Sequence, residues 1–197
     1  MSEAFRDRLV LAFAARGEWA DWLAANAGTS PGIWLKFAKK ASGVACVGKA
    51  EAIEMALAHG WIDGQLQPHD ERFWLVLFTP RGPRSKWSEV NRTTALRLID
   101  QGDMMPRGLA EVDKAKADGR WDAAYAPQSR AAVPDDLKAA LDAEPEAAAF
   151  FATLKGANHY AVLYRIHDAK TPETRRERVA RFVAMLARGE VAHPPKG

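Results

Sequence analysis

Trp61-Ile62-Asp63-Gly64-Gln65-Leu66-Gln67-Pro68-His69-Asp70-Glu71-Arg72-Phe73-Trp74-Leu75-Val76-Leu77-Phe78-Thr79-Pro80 is the stretch that decides the fold. Trp61 to Leu66 reads as one strand, and Arg72 to Thr79, rich in Phe, Trp, Leu and Val, as a second. The intervening Gln67-Pro68-His69-Asp70 fits a hairpin turn, and so short a link makes the pairing antiparallel. Pro80 and Pro83 end the second strand, because proline has no N–H to give to a ladder.

Working outward, Lys49 to His59 reads as a helix carrying Ile53, Ala56 and Leu57, with Gly60 as its stop. Ile33 to Lys39 alternates as a half-buried strand does. Glu18 to Asn26 places Trp19, Trp22 and Leu23 on one helical face, and Val10 to Phe13 is a short strand. Downstream, Ser88 is an N-cap for a helix to Gln101, and Pro106 opens another that Gly119 ends. All seven Trp lie between Trp19 and Trp121. The polar Ala126-Pro127-Gln128-Ser129-Arg130 link follows, and then Ala-rich helices that start near Pro134, Pro145, Asn158 and Thr171. In the last of these Val179, Phe182, Val183 and Leu186 form an apolar stripe. The expected class is α+β: a small mainly antiparallel sheet with flanking helices over residues 1–128, followed by a helical C-terminal module over residues 129–197.

Composition bounds the function. The 197 residues are 48% hydrophobic and 27% charged, which suits a packed core and excludes a disordered chain. The net charge of +3 does not demand a nucleic-acid partner. Cys46 is the sole cysteine, so no intramolecular disulfide forms, which suits a reducing cytoplasm. No run approaches about 18 apolar residues, and the charged N-terminal segment lacks a signal-peptide core, so a cytoplasmic protein without membrane insertion is expected. The five His show no metal-site spacing, and no phosphate loop or dinucleotide fingerprint occurs; neither a metal nor a cofactor is expected.

Several blocks together resemble the YdeI/OmpD-associated family, also labelled bacteriocin-protection. They are Trp34-Leu35-Lys36 with Lys39-Lys40, Gly60 to Gly64, Phe78-Thr79-Pro80-Arg81, Ser85-x-Trp87-Ser88-x-x-Asn91, Gly108-Leu109 and Gly119-Arg120-Trp121. Ala169-Lys170, Thr174-Arg175 and Met185-Leu186-x-x-Gly189 resemble its terminal helical module. Ala58-His59 departs from the Cys and aromatic expected before Gly60. The resemblance implies a bacterial cytoplasmic protein linked to envelope stress or toxin protection, and implies no established reaction, cofactor or catalytic residue.

The candidate site is Trp61, Asp63, Arg81, Arg84, Ser85, Trp87 and Asn91. Residues 79–92 carry four cations against Glu89 alone, and a guanidinium fork suits carboxylate or phosphate. In the first of three readings, a stress-protection binding protein holds a small anionic or aromatic ligand between Trp61 and Trp87, with a protein partner as a further expectation. In the second, an enzyme, a hydrolase or transferase, uses Asp63 as general base with Arg81 or Arg84 stabilising negative charge. In the third, basic ridges, including Arg178, Arg181 and Arg188 of the last helix, take nucleic acid or an acidic protein. Each has a plainer counterpart: an Asp–Arg staple, serines that cap a helix, and a solvated helix face.

Overall fold

The computed structural model describes residues 3–193. The chain divides into two compact units, Met1–Ala124 and Tyr125–Gly197.

The first unit holds β1 (Ala4–Phe5), β2 (Arg8–Leu11), α1 (Arg16–Asn26), β3 (Ile33–Ala38), α2 (Lys49–Ala58), β4 (Trp61–Pro68), β5 (Phe73–Pro80), α3 (Glu89–Asp100) and α4 (Pro106–Ala117). The strands form one sheet in the order β1-β2-β3-β5-β4. The pairing is mainly antiparallel, as expected; β2 and β3 alone run parallel, because α1 carries the chain back between them. The hairpin of β4 and β5 is present, with β4 extended through Pro68 and the turn moved to the four residues that follow. Asp70 Oδ1 accepts the N–H groups of Arg72 and Phe73 at 2.7 and 2.8 Å, which closes that turn. Along β4 the register slips by one between Asp63 and Leu66, so Gly64 and Gln65 stand opposite Leu77.

The strand expected at Val10 to Phe13 lies two residues earlier, as β2, and pairs in a hairpin with β1, which the sequence did not announce. The turn residues, Arg6 and Asp7, take φ of 48° and 61°, a backbone usually announced by Asn or Gly and here carried by Arg-Asp. This hairpin explains a correction to β3, which is buried on both faces and not half-buried. Ile33, Leu35 and Phe37 join Trp61, Val76 and Phe78 against Trp19 and Leu23 of α1 and the apolar side of α2. Trp34 points the other way, into a small cluster with Val10, Leu75 and Phe5, whose ring meets it edge-on at 5.3 Å. The buried indoles of Trp19 and Trp61 each find a carbonyl, Ala52 O and Ala27 O, both at 3.1 Å.

A second core in this unit gathers Leu57, Trp87, Leu98, Met104, Val112 and Trp121. Ser88 caps α3 by accepting the Asn91 N–H at 3.1 Å. The N-terminus of α4 runs against the C-terminus of α2: Met105 N–H donates to Ala58 O at 3.1 Å. A Cβ on Gly108 would fall 2.2 Å from that same oxygen, so only glycine allows this approach.

The second unit is helical: α5 (Asp135–Asp142), α6 (Pro145–Thr153), α7 (Gly156–His167) and α8 (Pro172–Ala187). Leu137, Phe151, Ile166, Val179, Phe182 and Leu186 lead its core. Thr171 caps α8 by accepting the Thr174 N–H at 3.1 Å. Asn158 does not cap α7. It lies inside the first turn, where its amide exchanges two hydrogen bonds with the His193 backbone, 2.8 and 3.2 Å long.

Arg175 grips Asp136 with two donors, at 2.6 and 2.9 Å, and so ties α8 to α5. The Arg175 guanidinium holds the Asp136 carboxyl below the ordinary carboxylate value. A depressed pKa stabilises the fold above the unfolded value and loses that stabilisation as pH falls through the folded one. Asp136→Asn is therefore expected to lower stability near neutrality by at most about 1 kcal/mol, since the pair is well exposed. Wild type and variant should converge in strong acid, as read by urea unfolding across a pH series.

Candidate functional site

Of the seven residues singled out by sequence, the structure gathers Arg81, Ser85, Trp87 and Asn91 at the loop before α3 and its first turn, and sets Trp61 and Asp63 on β4. Trp61 lies in the sheet core, edge-on to Trp22 at 5.8 Å, while Trp87 lies in the second core, 4.9 Å from Trp121. Two indoles in separate cores do not wall one cavity. Asp63 is half-buried on β4 and, among the described residues, makes no ion pair with Arg81 or Arg84. Arg81 is 6% exposed; its guanidinium lies 3.9 Å above the Trp87 ring and donates to Lys86 O at 3.1 Å. Arg84 is exposed. Ser85 Oγ accepts the Gly82 N–H at 3.0 Å, and Asn91 gives its backbone N–H to the cap. Arg120 and Arg92 tie this loop to the end of α4, donating to Ser85 O at 2.8 Å and to Trp121 O at 3.1 Å. Around this loop the arginines thus meet backbone carbonyls, the Trp87 indole and, for Arg120, the Asp118 carboxylate at 2.8 Å, while Asp63 pairs with neither Arg81 nor Arg84 among the described residues.

The basic helix is similarly occupied. Arg175, Arg176, Arg178 and Arg188 face Asp136, Glu173, Asp168 and Glu190. Arg181 sits over Phe182 at 5.5 Å. Little uncompensated charge remains there for phosphates.

Two grooves in the first unit meet at His59 and Met105. The larger, about 630 Å³, includes Ala24, Arg107, Glu111 and Lys114; the smaller, about 170 Å³, includes Arg16, Glu54 and Asp103. Burial lowers the His59 pKa and so favours the neutral ring at pH 7. Their charges are mixed and mostly matched: Glu54 pairs with Arg16 and Arg97, and Glu111 with Lys114.

A third groove, about 230 Å³, has a different character. It is lined by Lys39, Lys40, Lys49 and Cys46, with Phe37 and Trp74 among its apolar walls. β3 ends at Ala38 and delivers Lys39 and Lys40; Lys49 is the first residue of α2; Trp74 comes from β5. Lys39 Nζ donates to Asp70 O at 2.7 Å, and Lys49 Nζ stands 5.6 Å from the Trp74 ring. Among the described residues, no carboxylate pairs with Lys39, Lys40 or Lys49. The neighbouring Lys36 is neutralised by Glu3 at 2.5 Å, and the Glu51 carboxylate near the rim accepts the Gly48 N–H at 3.1 Å. Cys46 is half-buried and gives its S–H to Lys36 O at 3.3 Å.

Lys39 and Lys40 belong to the blocks that carry the family resemblance and stand outside the seven candidate site residues. A usable signal was present. Between Asp21 and Glu51 the chain holds Lys36, Lys39, Lys40 and Lys49 and not one Asp or Glu. An acid-free run with repeated lysines leaves positive charge that only distant segments can balance, and Glu3 reaches only Lys36.

Among the described residues, no group of three His, Cys, Asp or Glu side chains is placed to hold a metal ion, and no helix is long and apolar enough to cross a membrane. Fold and sequence together define an α+β protein with a separate four-helix unit. The chain belongs to the family described as Domain of unknown function (DUF8412), matched over residues 11–111, and carries over residues 130–189 the domain described as Bacteriocin-protection, YdeI or OmpD-Associated. The second match covers α5 to α8, and the first contains every residue of the lysine groove. No curated protein matches the chain, and no solved structure does.

Proposed function

We propose that this chain is a cytoplasmic stress- or bacteriocin-protection protein that works by holding a small anionic ligand in the groove of Lys39, Lys40 and Lys49 against Trp74. One observation carries the reading: three lysines line a single groove with no Asp or Glu among its lining residues. Gathering like charge costs free energy, and an anion offsets that cost when it enters. Trp74 and Phe37 add an apolar wall, the usual companion of a few placed polar groups in a small-molecule site. The protective role follows the printed description of the family matched by the C-terminal unit. The lone cysteine suits the cytoplasm.

Thermal unfolding with inorganic phosphate tests this reading against a Lys40→Ala/Lys49→Ala double variant. Without phosphate the variant should be as stable as wild type or slightly more so, because repulsion is relieved. With phosphate, wild type should gain stability by mass action, about 2.7 kcal/mol at a hundredfold excess over Kd. The variant should show only the small general effect of an excluded salt. Equal shifts in both proteins, or none in either, would sink the proposal.

A further inference from the structure

We infer that the ligand of the lysine groove is a phosphate monoester carried on a single ring, bound as its dianion; this rests on the anion-binding reading above. Charge is the first argument. A monocarboxylate neutralises one of the three ammonium groups, whereas a phosphoryl group brings close to two charges and three strong acceptor oxygens. The second argument is the type of cation. A flat carboxylate gains most from the flat guanidinium fork, which donates to both of its oxygens at once, yet no arginine lines this groove. Lysine is a compact charge with three donors and meets a tetrahedral phosphoryl group without needing a plane.

The third argument is placement. Lys39 is fixed by its bond to Asp70 O, and Lys49 is held over Trp74, while Lys40 is exposed and can swing in from the short 3₁₀ turn after β3. Two anchored donors and one mobile donor suit a phosphoryl group that enters from solvent. The apolar side of the groove, Phe37, Val44, Val47 and Trp74, has no task in binding a bare ion. It fits the ring that the phosphoryl group is attached to. Size agrees: about 230 Å³ is on the order of eight water volumes, room for a phosphoryl group and one ring.

Three probes on the full chain separate the possibilities: phenyl phosphate, inorganic phosphate and benzoate. Binding is read by titration calorimetry and by protection of Cys46, the sole cysteine, from a thiol reagent. At pH 7.5 phenyl phosphate is expected to bind at least tenfold more tightly than either of the others. The second phosphate proton returns near pH 6, so phenyl phosphate should weaken several-fold at pH 5.5. Benzoate passes through the same change as a monoanion and reports any contribution of the charged and ionisable groups around the groove, Glu3, Lys36, Cys46, Glu51, His69, Asp70 and the three lysines. Trp74→Leu should weaken phenyl phosphate at least tenfold and inorganic phosphate, which loses only the hold of Trp74 on Lys49, far less. Benzoate binding as tightly as phenyl phosphate would overturn the phosphate assignment and leave the anion reading standing. Equal binding of the two phosphates would overturn the ring. No binding by any probe, with no protection of Cys46, would remove both this inference and the reading beneath it.

Discussion

Gly108→Ala is expected to destabilise the first unit by at least about 3 kcal/mol, more than a typical inserted methylene costs. The new Cβ would lie 2.2 Å from Ala58 O and 2.5 Å from Met104 Sδ. The sulfur sits on a flexible side chain and can move aside. The carbonyl cannot, because it is main chain at the end of α2 and accepts the Met105 N–H. Relief requires α4 to back away from α2, which opens the second core around Trp87 and Trp121. Helix propensity acts in the opposite direction and offers at most about 1 kcal/mol. Gly17→Ala is the matched control, for its Cβ meets nothing within 4 Å in the first turn of α1. Urea unfolding should show that control neutral or slightly stabilised and Gly108→Ala with a strongly lowered midpoint. A Gly108→Ala protein as stable as wild type would mean that the two helices do not approach as described.

Trp61→Ala should cost a similar amount, about 3–5 kcal/mol, for the opposite reason. The indole is 0% exposed, meets Trp22 edge-on and donates to Ala27 O. Its removal leaves a cavity in the sheet core and a carbonyl without its donor. Trp61→Phe keeps a ring in place and loses the hydrogen bond and part of the volume, so it should fall between wild type and Trp61→Ala. Against a typical domain stability of about 5–15 kcal/mol, the alanine variant brings the first unit close to unfolding at 37 °C. Near-ultraviolet circular dichroism and denaturant titration report both changes. An alanine variant within about 1 kcal/mol of wild type would place Trp61 outside the core.

Helix ends were legible in the sequence because their signals are local. Ser88, Thr171, Pro106 and Pro145 each mark a start by what their own backbone or hydroxyl does. The β4–β5 pairing was legible for the same reason. The burial of β3 was not, since its second cover comes from Phe5 and Val10, reached through a turn without a turn signature. The site was harder still. Asp63, Arg81 and Trp87 stand out because charged and aromatic residues crowd one segment, yet only Arg81 and Trp87 meet in space. The Arg81 guanidinium lies against the Trp87 ring. The lysine groove is assembled from the end of β3, the start of α2 and the middle of β5, and its mark in the sequence is a missing residue type, which is easier to overlook than a motif.

The slip in β4 has a consequence for how this chain behaves in a crowd. β4 is an outer strand of the sheet, and an outer strand offers its free N–H and C=O groups to any extended chain that drifts past. Here Trp61 to Asp63 and Leu66 to Pro68 are out of step by one residue, with Gly64 and Gln65 crowded opposite Leu77. A visiting strand that matches one half is mismatched with the other, and Pro68 withholds an N–H at the far end. The irregularity that spoils a uniform edge is thus what lets an apolar, tryptophan-rich sheet stop at five strands and resist recruiting a sixth from its neighbours.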